Sequence, residues 1–216
     1  METLKFNCKD MDTYAINEAY KFLRTNILFC GRDIKTICIT SCDENEGKTT
    51  VSLNLAKSLA QLGKKVLFID ADMRKSVVAG KYFNAKNVTG LSELLSGIEK
   101  NVNNCVMATD VPGFKIVFAG AYPPNPVELL SGKYFETVVA SARETFDFVI
   151  IDAPPVGLVA DPAIIAPGCD GTLFVVGEKK LNRKAAEAAV TQLRNGGSHI
   201  IGFVRNNPET EKKKNH

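Results

Sequence analysis

The feature that most constrains this chain is a junction near residue 42, where an apolar run gives way to a short polar loop that leads straight into a helical pattern. Residues 34–40 read as a strand, Ser41 and CDENEGKTT follow, and Val51, Leu55, Leu59 and Leu62 then recur at helical spacing until Gly63 supplies a C-terminal cap. Gly47, Lys48 and Thr49 match the end of the Walker A pattern, while Cys42 stands six residues before Lys48, where the pattern has Gly. What cradles phosphate in such a loop is a run of backbone N–H groups at a helix N-terminus, so the logic survives the missing glycine. Cys42, Asp43, Glu44, Asn45, Glu46, Gly47, Lys48, Thr49 and Thr50 are therefore expected around a nucleotide's phosphates. Lys48 would reach the β and γ phosphates and Thr49 would place its hydroxyl on Mg²⁺. A positive φ at Cys42 would cost about 1 kcal/mol or more for its side chain.

Further apolar runs alternate with helical patterns, the signature of βαβ units and a parallel sheet. Six strands are predicted, at 34–40, 65–69, 114–119, 146–151, 171–176 and 199–204. Their apolar character on both faces requires cover from helices on both sides. Besides the helix from Lys48 to Leu62, helices are predicted from Asn125, with Pro126 in its first turn, through Val138, and from Arg183 to Arg194 before Gly196 and Gly197. Ahead of the first strand, Asp12 to Phe29 places Ile16, Ala19, Tyr20, Leu23 and Ile27 on one stripe, with Glu18, Lys21 and Arg24 outside it. The fold class is α/β, a mostly parallel central sheet flanked by helices in the P-loop manner. Within a single domain, residues 1–33 form an N-terminal helical segment, 34–207 the nucleotide-binding body and 208–216 a short polar tail.

Two more strands end in carboxylates. VLFI runs into Asp70, Ala71, Asp72, Met73 and Arg74, and FVII runs into Asp152, Ala153, Pro154 and Pro155. The C-terminal edge of an open α/β sheet is where ligands bind, so three acids are expected to converge beside the phosphate loop. Asp70 and Asp72 share a side if the strand continues through them. Grouped carboxylates need a cation, and Mg²⁺ bridging nucleotide phosphates supplies one.

Composition closes off other classes. A net charge of +3 over 216 residues gives no ground for a nucleic-acid partner, and the three consecutive lysines at 212–214 are a thin basic patch. Apolar stretches fall far short of the roughly 18 residues that cross a bilayer, and METLKFNCKDMD lacks a secretory core, so a cytoplasmic protein is expected. Six cysteines (Cys8, Cys30, Cys38, Cys42, Cys105 and Cys169) without a CxxC pair, and two histidines, His199 and His216, argue against structural zinc and for free thiols.

GKTT, VLFIDADMR and IIDAPP together resemble the bacterial protein-tyrosine kinases of capsule and exopolysaccharide synthesis, relatives of the partition and division-site ATPases. GLSELLSG (Gly90 to Gly97), GAYPPNPVELLSG (Gly120 to Gly132), ADPAIIAPGCDGTLFVV (Ala160 to Val176) and IGFVRNN (Ile201 to Asn207) extend the resemblance over most of the chain. The PPNPVELL stretch is the most discriminating, since generic P-loop ATPases lack it.

The resemblance implies transfer of the γ-phosphoryl group of ATP to tyrosine. Lys48 and Thr49 would belong to Walker A, Asp70, Asp72 and Arg74 to a second Walker motif, and Asp152 to Walker B. Asp70 is the expected base, Asp72 and Asp152 with Thr49 would organise Mg²⁺, and Arg74 would hold a carboxylate or a phosphate. Asn206 would lie near the adenine, and Glu18, Lys21 and Arg24 resemble the family's helical element for subunit contact, Lys21 replacing an arginine. Asn45 stands where the family has glycine, and asparagine is among the few residues that accept a left-handed backbone. Implied partners are a membrane-embedded chain-length regulator that recruits and activates the kinase at the inner membrane face, further copies of this chain in a ring, and a tyrosine substrate in trans. The family's tyrosine-rich tail has no counterpart, because all five tyrosines precede residue 135. Either the substrate tyrosines lie in another protein, or the end is shortened, or tail phosphorylation is lost. The alternative function is an ATP-binding regulatory subunit or a positioning ATPase. Such ATPases carry a signature lysine five residues before the Walker lysine, where this chain has Asp43.

Overall fold

The computed structural model describes residues 3–7, 13–177 and 182–206. Cys8, Asp12, Asn207, the lysines at 212–214, His216 and the polar tail lie outside them. After helix α1 (Tyr14–Phe29), the chain alternates strands and helices: β1 (Thr36–Ser41), α2 (Lys48–Gln61), β2 (Val66–Asp70), α3 (Val78–Phe83), α4 (Leu91–Leu95), α5 (Val102–Cys105), β3 (Met107–Ala108) and β4 (Phe114–Val117). There follow α6 (Pro126–Leu130), α7 (Lys133–Thr145), β5 (Phe148–Asp152), α8 (Asp161–Ile165), β6 (Gly171–Gly177), α9 (Arg183–Asn195) and β7 (Ile200–Asn206).

The strands form one sheet in the order β3-β4-β2-β5-β1-β6-β7, parallel throughout except for β3 against β4. All the expected strands are present. β3 is an addition, a two-residue edge segment too short to leave a period in the sequence. Alternate residues feed opposite faces, as the two-residue period of a strand requires. Ile37, Ile39, Phe68 and Ile150 pack with α1, α2 and α3, whereas Cys38, Ile69, Val149 and Ile151 pack with α4 and α6 to α9.

Three expectations need correction. The helix expected from Asn125 through Val138 is two, because Ser131 and Gly132 interrupt it and Gly132 takes an extended backbone. Glycine weakens a helix at that point by about 1 kcal/mol relative to alanine. β2 stops at Asp70, so Asp72 is a loop residue rather than a strand neighbour on the same face. On α1, Ile16, Tyr20, Leu23 and Ile27 turn inward but Ala19 is exposed.

The edge of the sheet opposite the phosphate loop is fastened by Asp170. Its carboxylate accepts from the Lys35 and Thr36 amides at 3.0 and 2.8 Å, from the Thr36 hydroxyl at 2.9 Å, and from Arg143 on α7. Burial alone would raise this carboxyl's pKa, but the Thr36 and Lys35 amides and the Arg143 guanidinium outweigh it and hold it below the usual range.

Candidate active site

The loops after β1, β2, β4 and β5, with Asn206 at the end of β7, enclose a cavity of about 1150 Å³ at the C-terminal edge of the sheet. Loop backbone decides its floor. Gly47 is left-handed (φ 85°) immediately before α2, and a Cβ there would run into the Asn206 side chain. Asn45 is also left-handed (φ 62°), as the sequence allowed, and Cys42 is not among the positive-φ residues, so its side chain brings no backbone strain. Asp43, Glu44, Asn45, Gly47, Lys48, Thr49 and Thr50 all line the cavity.

Cys42 and Glu46 are not among the residues that line it. Cys42 is buried beneath the loop, where its carbonyl accepts from Gly157 at 3.1 Å. Burial, then the neighbouring Asp43 and Glu46 charges, push its thiol up, away from reactive thiolate. Glu46 turns back as a brace, accepting from the Asp43 amide at 2.8 Å and from the Gly177 amide at the end of β6 at 3.1 Å. Asn206 donates to the Glu46 carbonyl at 3.0 Å, so the ends of β6 and β7 both hold the loop.

Lys48 is nearly buried and lies among the acids. Its Nζ is 3.1 Å from Asp72 and 3.6 Å from Asp152. Burial pulls the ammonium's pKa down, but Asp152 and Asp72 outweigh it and hold the group above its ordinary value. Asp152 accepts from the Thr49 hydroxyl at 2.6 Å and from Ser52 at 2.9 Å. Its own pKa is raised, chiefly by burial, against the pull of Lys48 and the two hydroxyls. Asp70 is fully buried, accepts from the Ser76 hydroxyl, and is pushed up to about 8 by burial and by Asp152, with Ser76 and Lys48 opposing.

Two carboxylates, Asp72 and Asp152, share one ammonium in a buried place, with Asp70 beside them, and the donors are hard oxygens. Among the described residues no three acidic, histidine or cysteine side chains are placed to enclose a metal by themselves. Together these features fit Mg²⁺, which takes one or two carboxylates and completes its shell with phosphates and water. Thr49, Asp72 and Asp152 are the residues that would hold it.

Arg74 also faces the cavity, and here the open choice resolves toward a carboxylate. Its Nε and a terminal nitrogen donate to the two oxygens of Asp161 at 2.8 and 3.0 Å. Asp161 is wholly buried at the start of α8 and went unrecognised in the sequence, where Asp-Pro reads as a helix start. Ser76 and Ser52 were missed too, because a serine after a strand or inside a helix carries no signature. Away from the cavity, Glu18 and Lys21 pair with each other at 2.7 Å on exposed α1, while Arg24 donates to the Ser58 carbonyl of α2 at 2.7 Å. Arg24 thus ties α1 to the body within one chain.

A phosphate loop at a strand-to-helix turn, with acids ending the adjacent strand β5 and the next strand β2, defines a P-loop nucleotide-binding α/β protein. Residues 34–180 match the family model described as AAA domain. The chain is 42% identical over 189 residues to the tyrosine-protein kinase CpsD of Streptococcus agalactiae, covering 88% of this chain and 82% of that protein. Among solved structures, the kinase domain of the Escherichia coli tyrosine kinase ETK superposes with a TM-score of 0.87 at 31% identity, over 95% of this chain and 82% of that one. The cell division ATPase MinD of Pyrococcus furiosus follows at a TM-score of 0.66 and 27% identity, over 80% of this chain and 71% of that one. The chain belongs to the bacterial tyrosine-protein kinases.

Proposed function

We propose that this chain transfers the γ-phosphoryl group of ATP to tyrosine hydroxyls of other polypeptides in capsule or exopolysaccharide synthesis. The observation that carries the reading is the buried cluster of Lys48, Asp72, Asp152 and Thr49 at the mouth of the phosphate loop, in a chain whose relatives are tyrosine kinases. Backbone amides of residues 43–50 and the Lys48 ammonium bind the triphosphate, and Asn206 with the ends of β6 and β7 lies on the side left for the nucleoside. Magnesium, when bound, offsets phosphate charge. The tyrosine oxygen forms a bond to the γ phosphorus as the bond from that phosphorus to the bridging oxygen of ADP breaks. The phenolic proton, from a group of reference pKa near 10, goes to Asp70. Asp70 ends β2 in the cavity wall, and Ser76, half-buried there, stands hydrogen-bonded to it. Lys48 offsets charge on the transferred group as it moves.

We assign α1 to contact between copies. Tyr14, Phe22 and Phe29 are exposed at helical spacing beside the Glu18–Lys21 pair, an apolar stripe that a second chain would cover. Recruitment to the inner membrane face would fall to a membrane-embedded chain-length regulator, as the resemblance to the kinases of capsule synthesis implies; no helix among the described residues is long and apolar enough to cross a membrane.

Labelled MgATP supplied to the chain, alone and with the cytosolic segment of a membrane chain-length regulator, tests the activity. Phosphotyrosine is the expected product, lost in Asp70→Ala while ADP still binds. Phosphate release without phosphotyrosine would favour the switch ATPase, and full phosphorylation by Asp70→Ala would remove Asp70 as the base.

A further inference from the structure

Two motifs, GLSELLSG and GAYPPNPVELLSG, take no part in the nucleotide site described above, yet the structure brings them together at its far wall. Glu93, from the first, accepts from the Gly90 amide at 2.8 Å and from the Ala121 amide at 2.9 Å. Burial would raise this carboxyl's pKa, but the Ala121 and Gly90 amides outweigh it and hold the group ionised below the usual range. Gly120 is left-handed (φ 82°), and a Cβ there would collide with the Glu93 carboxylate. The turn so fixed presents Tyr122, whose hydroxyl donates to the Ser76 carbonyl at 3.0 Å. The Ser76 hydroxyl in turn donates to Asp70. Tyr122 is thus linked through Ser76 to the expected base, while the residue is 63% exposed.

Two more apolar side chains line the same cavity in the open: Val77 after β2, 53% exposed, and Leu158 after β5, 52% exposed. Sheet order shows why this end is not filled by nucleotide. From β4 to β7 the cavity crosses five neighbouring-strand steps, roughly 24 Å at about 4.8 Å each. The phosphate loop sits after β1 and the acids that face the phosphates sit on β5 and β2. A nucleotide whose terminal phosphate points toward those acids extends its base toward β6 and β7, leaving the β2–β4 end open.

We propose that Tyr122, Val77 and Leu158 form the acceptor subsite, an apolar slot that takes the ring of a tyrosine from another polypeptide and aims its hydroxyl along the wall toward Asp70 and Lys48. This rests on the tyrosine-kinase reading. A phenol ring needs apolar contact on its faces and a polar exit for its oxygen, and the cavity that these three side chains line is also lined by Asp70, Lys48 and Asp152.

The test uses the full chain, Tyr122→Ala, Tyr122→Phe and Leu158→Ser, with a random glutamate–tyrosine copolymer as probe. Calorimetry measures copolymer binding to the MgADP-loaded protein and, separately, MgADP binding. The expected result is about a tenfold loss of copolymer affinity in Tyr122→Ala and Leu158→Ser, near-parental affinity in Tyr122→Phe, and MgADP affinity within about twofold throughout. Parental copolymer affinity in both truncated variants overturns the subsite. So does a fall in MgADP affinity in its place, which would put the nucleobase against Tyr122. Phosphotyrosine formation on the copolymer is scored independently: a parent that binds it through Tyr122 but never phosphorylates it refutes the kinase and keeps the slot.

Discussion

The ion pair between Arg74 and Asp161 makes an asymmetric prediction. Asp161 has no exposed side-chain surface, whereas 37% of the Arg74 side chain is open to solvent. In Arg74→Ala a carboxylate stays in the interior without its two charged hydrogen bonds, a situation that costs about 3–5 kcal/mol. In Asp161→Asn the orphaned partner is an arginine that can turn outward, and the neutral amide asks for little, so the loss is about 1–2 kcal/mol. Adding Asp161→Asn to Arg74→Ala removes the stranded charge and should restore about 1–2 kcal/mol of what Arg74→Ala lost. For a chain of this size each kcal/mol moves the melting temperature by about 2–4 °C, which puts Arg74→Ala roughly 6–20 °C below the parent. Thermal unfolding of the three ligand-free variants by circular dichroism measures the order directly. Equal losses in the two single variants, or a double variant no more stable than Arg74→Ala, would refute the claim that the buried carboxylate is the costly partner.

Asp170→Asn should lower stability at neutral pH by about 2 kcal/mol and flatten the acid limb of a stability profile. The folded-state pKa of Asp170 is depressed, so its contribution is present above the unfolded carboxylate value of about 3.9 and fades as pH falls through the folded one. Denaturant midpoints between pH 3 and 7, parent against variant, check the sign. Phe22→Asp should shift the chain toward smaller assemblies in light scattering with little change in melting temperature, since the ring is exposed in the single chain. MgADP at about 100 times its dissociation constant should stabilise the parent by about 2.7 kcal/mol, and ADP with a chelator by clearly less. Equal shifts with and without chelator would remove Mg²⁺ from the site.

Legibility in the sequence followed the length of the pattern that carried each element. The central parallel strands were visible because they are buried on both faces and read as runs of apolar residues, as in Val66–Ile69 or Val149–Ile151. β3 and the short helices α3, α4, α5 and α8 span too few residues for any period to repeat. At the site, Lys48, Thr49, Asp70, Asp72 and Asp152 were legible because each occupies a fixed offset from a strand end, and backbone direction alone brings strand ends together. Asp161 and Tyr122 were not, since their partners Arg74 and Ser76 lie 87 and 46 residues away, and Ser76 reaches Asp70 only through the turn of the intervening loop. Glu46 shows the complementary case: its place in the loop is fixed by sequence, but which way its carboxylate turns depends on Gly177, 131 residues further along.

Carboxylates around the cavity divide by what satisfies them, and that division explains how a site so rich in negative charge stays in shape. Glu46, Glu93 and Asp161 are met by backbone amides or by a paired guanidinium, so they act as fasteners between loops that meet only at the strand tips. Asp72 and Asp152 share a single ammonium, and that leaves them short of positive charge. A buried anion short of counter-charge either takes up a proton or draws in a cation. That deficit falls on the acids beside the phosphate loop and not on the fasteners, so a cation bound there would meet it while leaving the contacts that hold the loops in place.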